Sequence, residues 1–285
     1  TRQWNVSKIK RDKSVNALCV VGEHVFDIGD AGILRLDEVP ISDNETLCNF
    51  LVAIDDAVLT GGQSGMLLDA KSATSLFRYR SPLNCAAVYE HGAHTRLVVG
   101  TYTGELLFFA VERHDGQLTV HPVSSQKPHA NAIKGVAVAH GMVFSCCADG
   151  SAAWNRAEDF GIVHRVSPGH TSIANGCAAT PSGFASVGRD LKLRFWTNTF
   201  EQRCIDTPHR NSIRCIAASV SGRYLATGGY RGVIAIYDVV EDAWVHTFRA
   251  TSFGISCVVA DQARDGFIAS SYDGLTHRFH ADPHP

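Results

Sequence analysis

Three residues in the middle of the chain, His170, Ser186 and Asp190, are of the types that build a nucleophilic triad. In such a triad an imidazole takes the proton of an exposed hydroxyl, a carboxylate orients the imidazole, and an oxyanion hole receives the developing charge. A second set, His129, Ser145 and Asp149, stands 41 residues upstream at each member. An enzyme needs one triad. A His-Ser-Asp set that recurs at fixed spacing belongs to a repeat, where buried polar groups find partners in each copy. No glycine loop followed by Lys-Ser/Thr is present to cradle a nucleotide phosphate. The chain therefore reads as non-catalytic and without a cofactor. His91 and His94, or His277, His280 and His284, have loose ligand-like spacing, but strand alternation and a tail account for them. No metal site is expected.

The elements that position these residues come in seven units. A short apolar run ends at a turn in VFDIGDAG, VLTGGQSG, VVGTYTG, VFSCCADG, FASVGRDL, LATGGYRG and IASSYDG. The turn residues are Ala31, Ser64, Thr103, Asp149, Asp190, Arg231 and Asp273, and the period lies near 40 residues. Leu191 replaces the turn glycine in the fifth unit. A second ladder places Cys19, Cys85, Cys177, Cys215 and Cys257 at one strand position, read as small buried thiols. A third is aromatic, with Phe109, Trp196, Tyr237 and Phe279 six residues beyond the turn and Trp154 five beyond it.

The runs are short, rich in Val, Ile, Leu, Phe and Ala, and bounded by Gly, Asp, Asn or Ser, so each unit reads as four β-strands, a to d. Sheets of this kind, repeated at this period, stack radially into an all-β seven-bladed propeller. One domain over 1–285 is expected, with blades near 14–46, 47–81, 82–124, 129–167, 170–206, 209–249 and 251–281. The seventh unit lacks a fourth strand, and segment 2–10 is expected to supply it and close the ring. The third unit carries a long polar stretch, VERHDGQLTVHPVSSQKPHANA, which reads as an extended c–d hairpin.

Composition narrows the function. Hydrophobic residues make up 45% and charged residues 19%, as in a folded globular domain. The net charge of −2 gives no support to direct nucleic-acid binding, and the KIKRDK cluster at 8–13 reads as a solvated linker. No apolar run reaches membrane-spanning length, so no membrane insertion is expected. The nine cysteines contain no Cys-x-x-Cys pair, and most lie in apolar runs. That pattern suits a reducing, intracellular compartment, cytoplasmic or nuclear.

On these residues the chain resembles the WD-repeat family over essentially its full length. The fifth unit carries Gly169-His170, Ser186, Asp190 and Trp196; the fourth has His129, Ser145, Asp149 and Trp154; the sixth has His209, Thr227 and Tyr237. The resemblance implies a buried tetrad in each such blade, with Asp bonded to His, His to Ser or Thr, and the hydroxyl to Trp. The Trp-Asp dipeptide is missing throughout, and Arg231 stands where the sixth unit would carry its turn aspartate. The family's common role implies a scaffold or adaptor in a multiprotein complex that binds other proteins or peptides; the alternative is a reader of an acidic or modified peptide tail, or a subunit of an RNA- or DNA-associated complex.

In this family the d–a and b–c loops share one face, called top. Residues preceding the turn position open there: Asp30, Gln63, Tyr102, Ala148, Arg189, Tyr230 and Tyr272. So should the strand-a residues Leu18, Asn49, Asn84, Lys134, Gly176, Arg214 and Ser256. Tyr102, Lys134, Arg189, Arg214, Tyr230 and Tyr272 form the expected partner-binding set, with Arg231 near it. Arginine and tyrosine suit an acidic or phosphorylated segment.

Overall fold

A computed structural model describes residues 4–9 and 14–281, with side chains from 14 to 280. The described strands form seven antiparallel sheets of four. Blade one comprises Val15–Val21, His24–Gly29, Ile33–Leu36 and Val39–Asp43. Blade five comprises Ala174–Thr180, Gly183–Gly188, Lys192–Thr197 and Gln202–Asp206, and blade six Ile213–Ala218, Tyr224–Gly229, Val233–Asp238 and Ala243–Arg249. The first strands touch one another in succession, and that of blade seven, Ile255–Asp261, touches that of blade one. They are the inner wall of a closed ring. Trp4–Ile9 pairs antiparallel with Thr276–Ala281 as the outer strand of the seventh sheet, which leaves that sheet without a three-stranded edge.

The alternation of small and large apolar residues along strands b and c fills the space between sheets. Phe109, Trp196, Tyr237 and Phe279 are each no more than 1% exposed, at equivalent places of strand c. Trp154 departs from this ladder. It pairs with Phe144, next to Ser145, whereas Trp196 pairs with Phe184, two residues from Ser186. A one-residue shift along a strand turns the side chain to the other face. Trp154 therefore faces blade five and meets Trp196 edge-on with ring centroids 5.5 Å apart, while Asn155 takes the tetrad place.

The cysteine ladder also needs correction. Each first strand contains a bulge, and the residue just after it is Ala17, Phe50, Cys85, Gly135, Gly176, Cys215 or Cys257. Only Cys85, Cys215 and Cys257 share that position. Cys177 lies one residue further and Cys19 two. The bulge adds a residue that sequence spacing does not reveal. In blade three, strands Leu106–His114 and Gln117–Gln126 form the long c–d hairpin, which reaches two residues past the expected end at 124.

Candidate functional site

The residue inside each bulge points along the inner ring. These residues are Asn16, Asn49, Asn84, Lys134, Asn175, Arg214 and Ser256. Asn16 and Asn175 therefore replace Leu18 and Gly176 in the expected set; Leu18 is buried at 2% exposure. The neutral members form a belt. The Asn16 amide donates to the Cys48 carbonyl at 3.3 Å, Asn49 to Leu83 at 2.8 Å and Asn175 to Ile213 at 2.7 Å. Asn84 likewise donates to the Ile133 carbonyl and the Ser256 hydroxyl to that of Val15. Each bond joins one blade to the next, and each acceptor is the residue that precedes the bulge.

Two belt places hold cations instead. The Lys134 ammonium lies 4.9 Å from the centroid of Tyr102, within cation–π range. Arg214 Nε donates to the Tyr272 hydroxyl at 3.3 Å, and Tyr272 stacks with Tyr230 at a centroid distance of 6.5 Å. Burial lowers the Lys134 pKa, and the nearby Arg214 and Arg189 guanidiniums lower it further. Among the described residues no carboxylate pairs with Lys134, Arg189 or Arg214. The six expected partner-binding residues thus lie on one side of the ring along an arc from blade three to blade seven: a cation cluster with tyrosines at its edge. Tyr102, Tyr230 and Tyr272 are 38%, 39% and 36% exposed. Phe253, 55% exposed, lies in the loop beside Gly254, which packs on Tyr272. Sequence reasoning missed Phe253, since it belongs to none of the three ladders; its place in the loop before strand a is its only signal.

The two His-Ser-Asp sets are buried ties of unequal completeness. In blade five the Trp196 indole donates to Ser186 Oγ at 2.8 Å, the Ser186 hydroxyl reaches His170 Nε2 at 2.8 Å, and His170 Nδ1 meets Asp190 at 3.0 Å. Arg194 also donates to Asp190 at 2.6 Å. Burial would raise the Asp190 carboxyl, but the His170 and Arg194 contacts outweigh it and hold the carboxyl below the usual range. Ser186 is fully buried, which denies a substrate carbonyl access to its hydroxyl.

In blade four His129 Nε2 meets Ser145 at 2.8 Å, but His129 Nδ1 bonds Ser151 at 2.6 Å, and Ser151 carries the link to Asp149. The Trp154 indole N–H is buried without a partner because its face is reversed. The turn glycine matters here: Gly150 has φ +79° and a Cβ on it would lie 2.5 Å from the His170 carbonyl oxygen. Leu191 occupies the same left-handed region in blade five, at φ 60°.

His129, Cys147 and Asp149 bring potential metal donors within 4.8 Å of one another. The chemistry of the set does not suit an ion. Both His129 nitrogens are engaged, the Cys147 thiol donates to the Asn131 carbonyl at 3.1 Å, and burial pushes that thiol up to about 12. His91 and His94 face each other across a hairpin turn, His277 is buried, and His284 lies outside the described residues.

Comparison with known proteins agrees with this geometry. The family described as WD domain, G-beta repeat, matches residues 202–238, the span from the outer strand of blade five through strand c of blade six. No curated protein matches the sequence. Among solved structures, the crystal structure of the WD40 beta propeller domain of Doa1 is similar over 98% of each chain, with a TM-score of 0.80 and 14% identity. The chain is a seven-bladed β-propeller of the WD40 fold that carries a recognisable WD repeat across blades five and six.

Proposed function

We propose that this propeller is a non-catalytic scaffold that holds partner proteins through its top face, gripping an acidic or phosphorylated segment at the mouth of the ring. The fold is a common protein-interaction platform, and that supports the class of function rather than the partner. The observation that carries the finer reading is the break in the belt. Lys134 and Arg214 occupy places where a neutral donor would tie adjacent blades, and they bring uncompensated charge to the mouth. A carboxylate or phosphate there makes charge-assisted bonds, and the tyrosines supply rigid apolar contact. The net charge of −2 makes nucleic acid a weaker reading. The nine free cysteines support work in a reducing intracellular compartment.

Fluorescence anisotropy with Glu-rich and phosphoserine-containing peptides tests the reading. Arg189→Glu, Arg214→Glu and Tyr230→Ala are each expected to weaken binding of at least one peptide by about tenfold or more. Unchanged affinity in all three folded variants would remove the mouth from the account.

A further inference from the structure

Blade six has the tetrad histidine and hydroxyl but no aspartate. His209 Nε2 meets Thr227 Oγ1 at 2.8 Å, as His170 meets Ser186 in blade five. Beyond His209 Nδ1, where Asp190 stands in blade five, the turn residue is Arg231. No hydrogen bond reaches His209 Nδ1 among the described residues. The Thr227 hydroxyl turns to the Ala235 carbonyl at 3.1 Å. The place left by the carboxylate opens into a cavity of about 310 Å³.

The lining of that cavity has one sign. It includes Arg210, Arg231 and Arg249 together with His209, Asn211 and Thr247, and no Asp or Glu. None of the three arginines pairs with a carboxylate among the described residues. Arg249 Nε donates to the Arg231 backbone carbonyl at 3.3 Å, which anchors one guanidinium at the rim. Three arginines lining one cavity match a tetrahedral dianion better than a single carboxylate, because a phosphate presents more acceptor oxygens to their donors. The volume exceeds what a carboxylate alone would fill, and the cavity opens on the face that carries the d–a and b–c loops.

We propose that this cavity in blade six binds a phosphate monoester carried on a partner polypeptide, the anion taking the place that Asp190 fills in blade five. The site shares no residue with the Tyr102, Lys134, Arg189, Arg214, Tyr230 and Tyr272 set and does not depend on it. Burial lowers the His209 pKa to about 4 with no acidic neighbour to raise it, so a bound dianion draws it upward.

The test follows the histidine side chains by NMR in the full chain, with inorganic phosphate, a phosphoserine peptide and its Glu-substituted counterpart as probes. The expected result is saturable movement of the His209 signals with both phosphate probes, while those of His129 and His170 stay in place. The phosphopeptide should bind at least tenfold more tightly than the Glu peptide. Arg249→Gln and Arg231→Gln should each weaken the phosphopeptide affinity read at His209 at least tenfold. Arg231→Asp, which supplies the missing carboxylate from within, should abolish the His209 response and raise the His209 pKa without ligand. Arg214→Glu should leave the His209 response intact, which separates this site from the mouth of the ring. Three outcomes overturn the proposal: no His209 response to either phosphate probe, an equal His209 response to the Glu peptide, or an undiminished His209 response to the phosphopeptide in both the Arg231→Gln and Arg249→Gln variants.

Discussion

Ser186→Ala should cost far more stability than the same change at Ser145, although both serines are fully buried members of a His-Ser-Asp set. The Ser186 hydroxyl serves two partners, His170 Nε2 and the Trp196 indole, each at 2.8 Å. Its removal strands an imidazole nitrogen and an indole N–H in the core. Each stranded buried group costs about 1–3 kcal/mol, so the pair costs about 3 kcal/mol or somewhat more. Ser145 serves His129 alone, since the Trp154 indole already lacks a partner. Its removal costs about 1–2 kcal/mol. The gap, about 1.5 kcal/mol, is roughly tenfold in the unfolding equilibrium. Urea unfolding of the two variants beside wild type measures it. Equal losses, or a larger loss at Ser145, would refute the assignment of Trp154 to the opposite face of its strand.

Other expectations follow from the same contacts. His129 and His209 are both held at about 4 by burial, from an ordinary value of 6.5. The folded chain therefore binds fewer protons than the unfolded chain between those values, and stability present above pH 6.5 is lost as pH falls toward 4. Unfolding midpoints across that window should decline, and less steeply in His209→Gln; a flat profile would contradict the buried neutral imidazoles. Lys134→Asn supplies a belt donor toward the Ala174 carbonyl and relieves repulsion with Arg214 and Arg189, so the free energy of unfolding should hold or rise by about 1 kcal/mol in urea titration while acidic-peptide affinity falls. A loss of stability would count against the belt. Gly150→Ala forces a Cβ against the His170 carbonyl at a left-handed φ and should lower stability by about 1 kcal/mol or more in thermal unfolding.

The propeller was legible because its signals repeat. Turn glycines, apolar runs and aromatics recur in phase, and repetition alone recast His170, Ser186 and Asp190 as a structural tie. The bulge was not legible. It inserts a residue in each first strand without any marker in composition, so spacing put Leu18 and Gly176 where Asn16 and Asn175 stand. For the same reason Cys19 and Cys177 joined a ladder they do not share. Trp154 was misplaced by one residue, which in a strand is a change of face. Arg231 signalled a missing aspartate, but the cavity behind it depends on Arg210 and Arg249, which come from other loops and meet only in the folded blade. Lys134 and Arg214 were visible as charges; that they interrupt an interblade belt emerges only from the hydrogen bonds of the other five positions.

The central claim concerns which face holds the partner. Hydrogen exchange of the full chain, with and without a saturating acidic or phosphorylated peptide, reads this directly. The account predicts slowed exchange in the turns around Tyr102, Arg189, Tyr230 and Tyr272, with the opposite-face turns near Asp55, His140 and Asp242 unchanged. Protection confined to those opposite turns would contradict it.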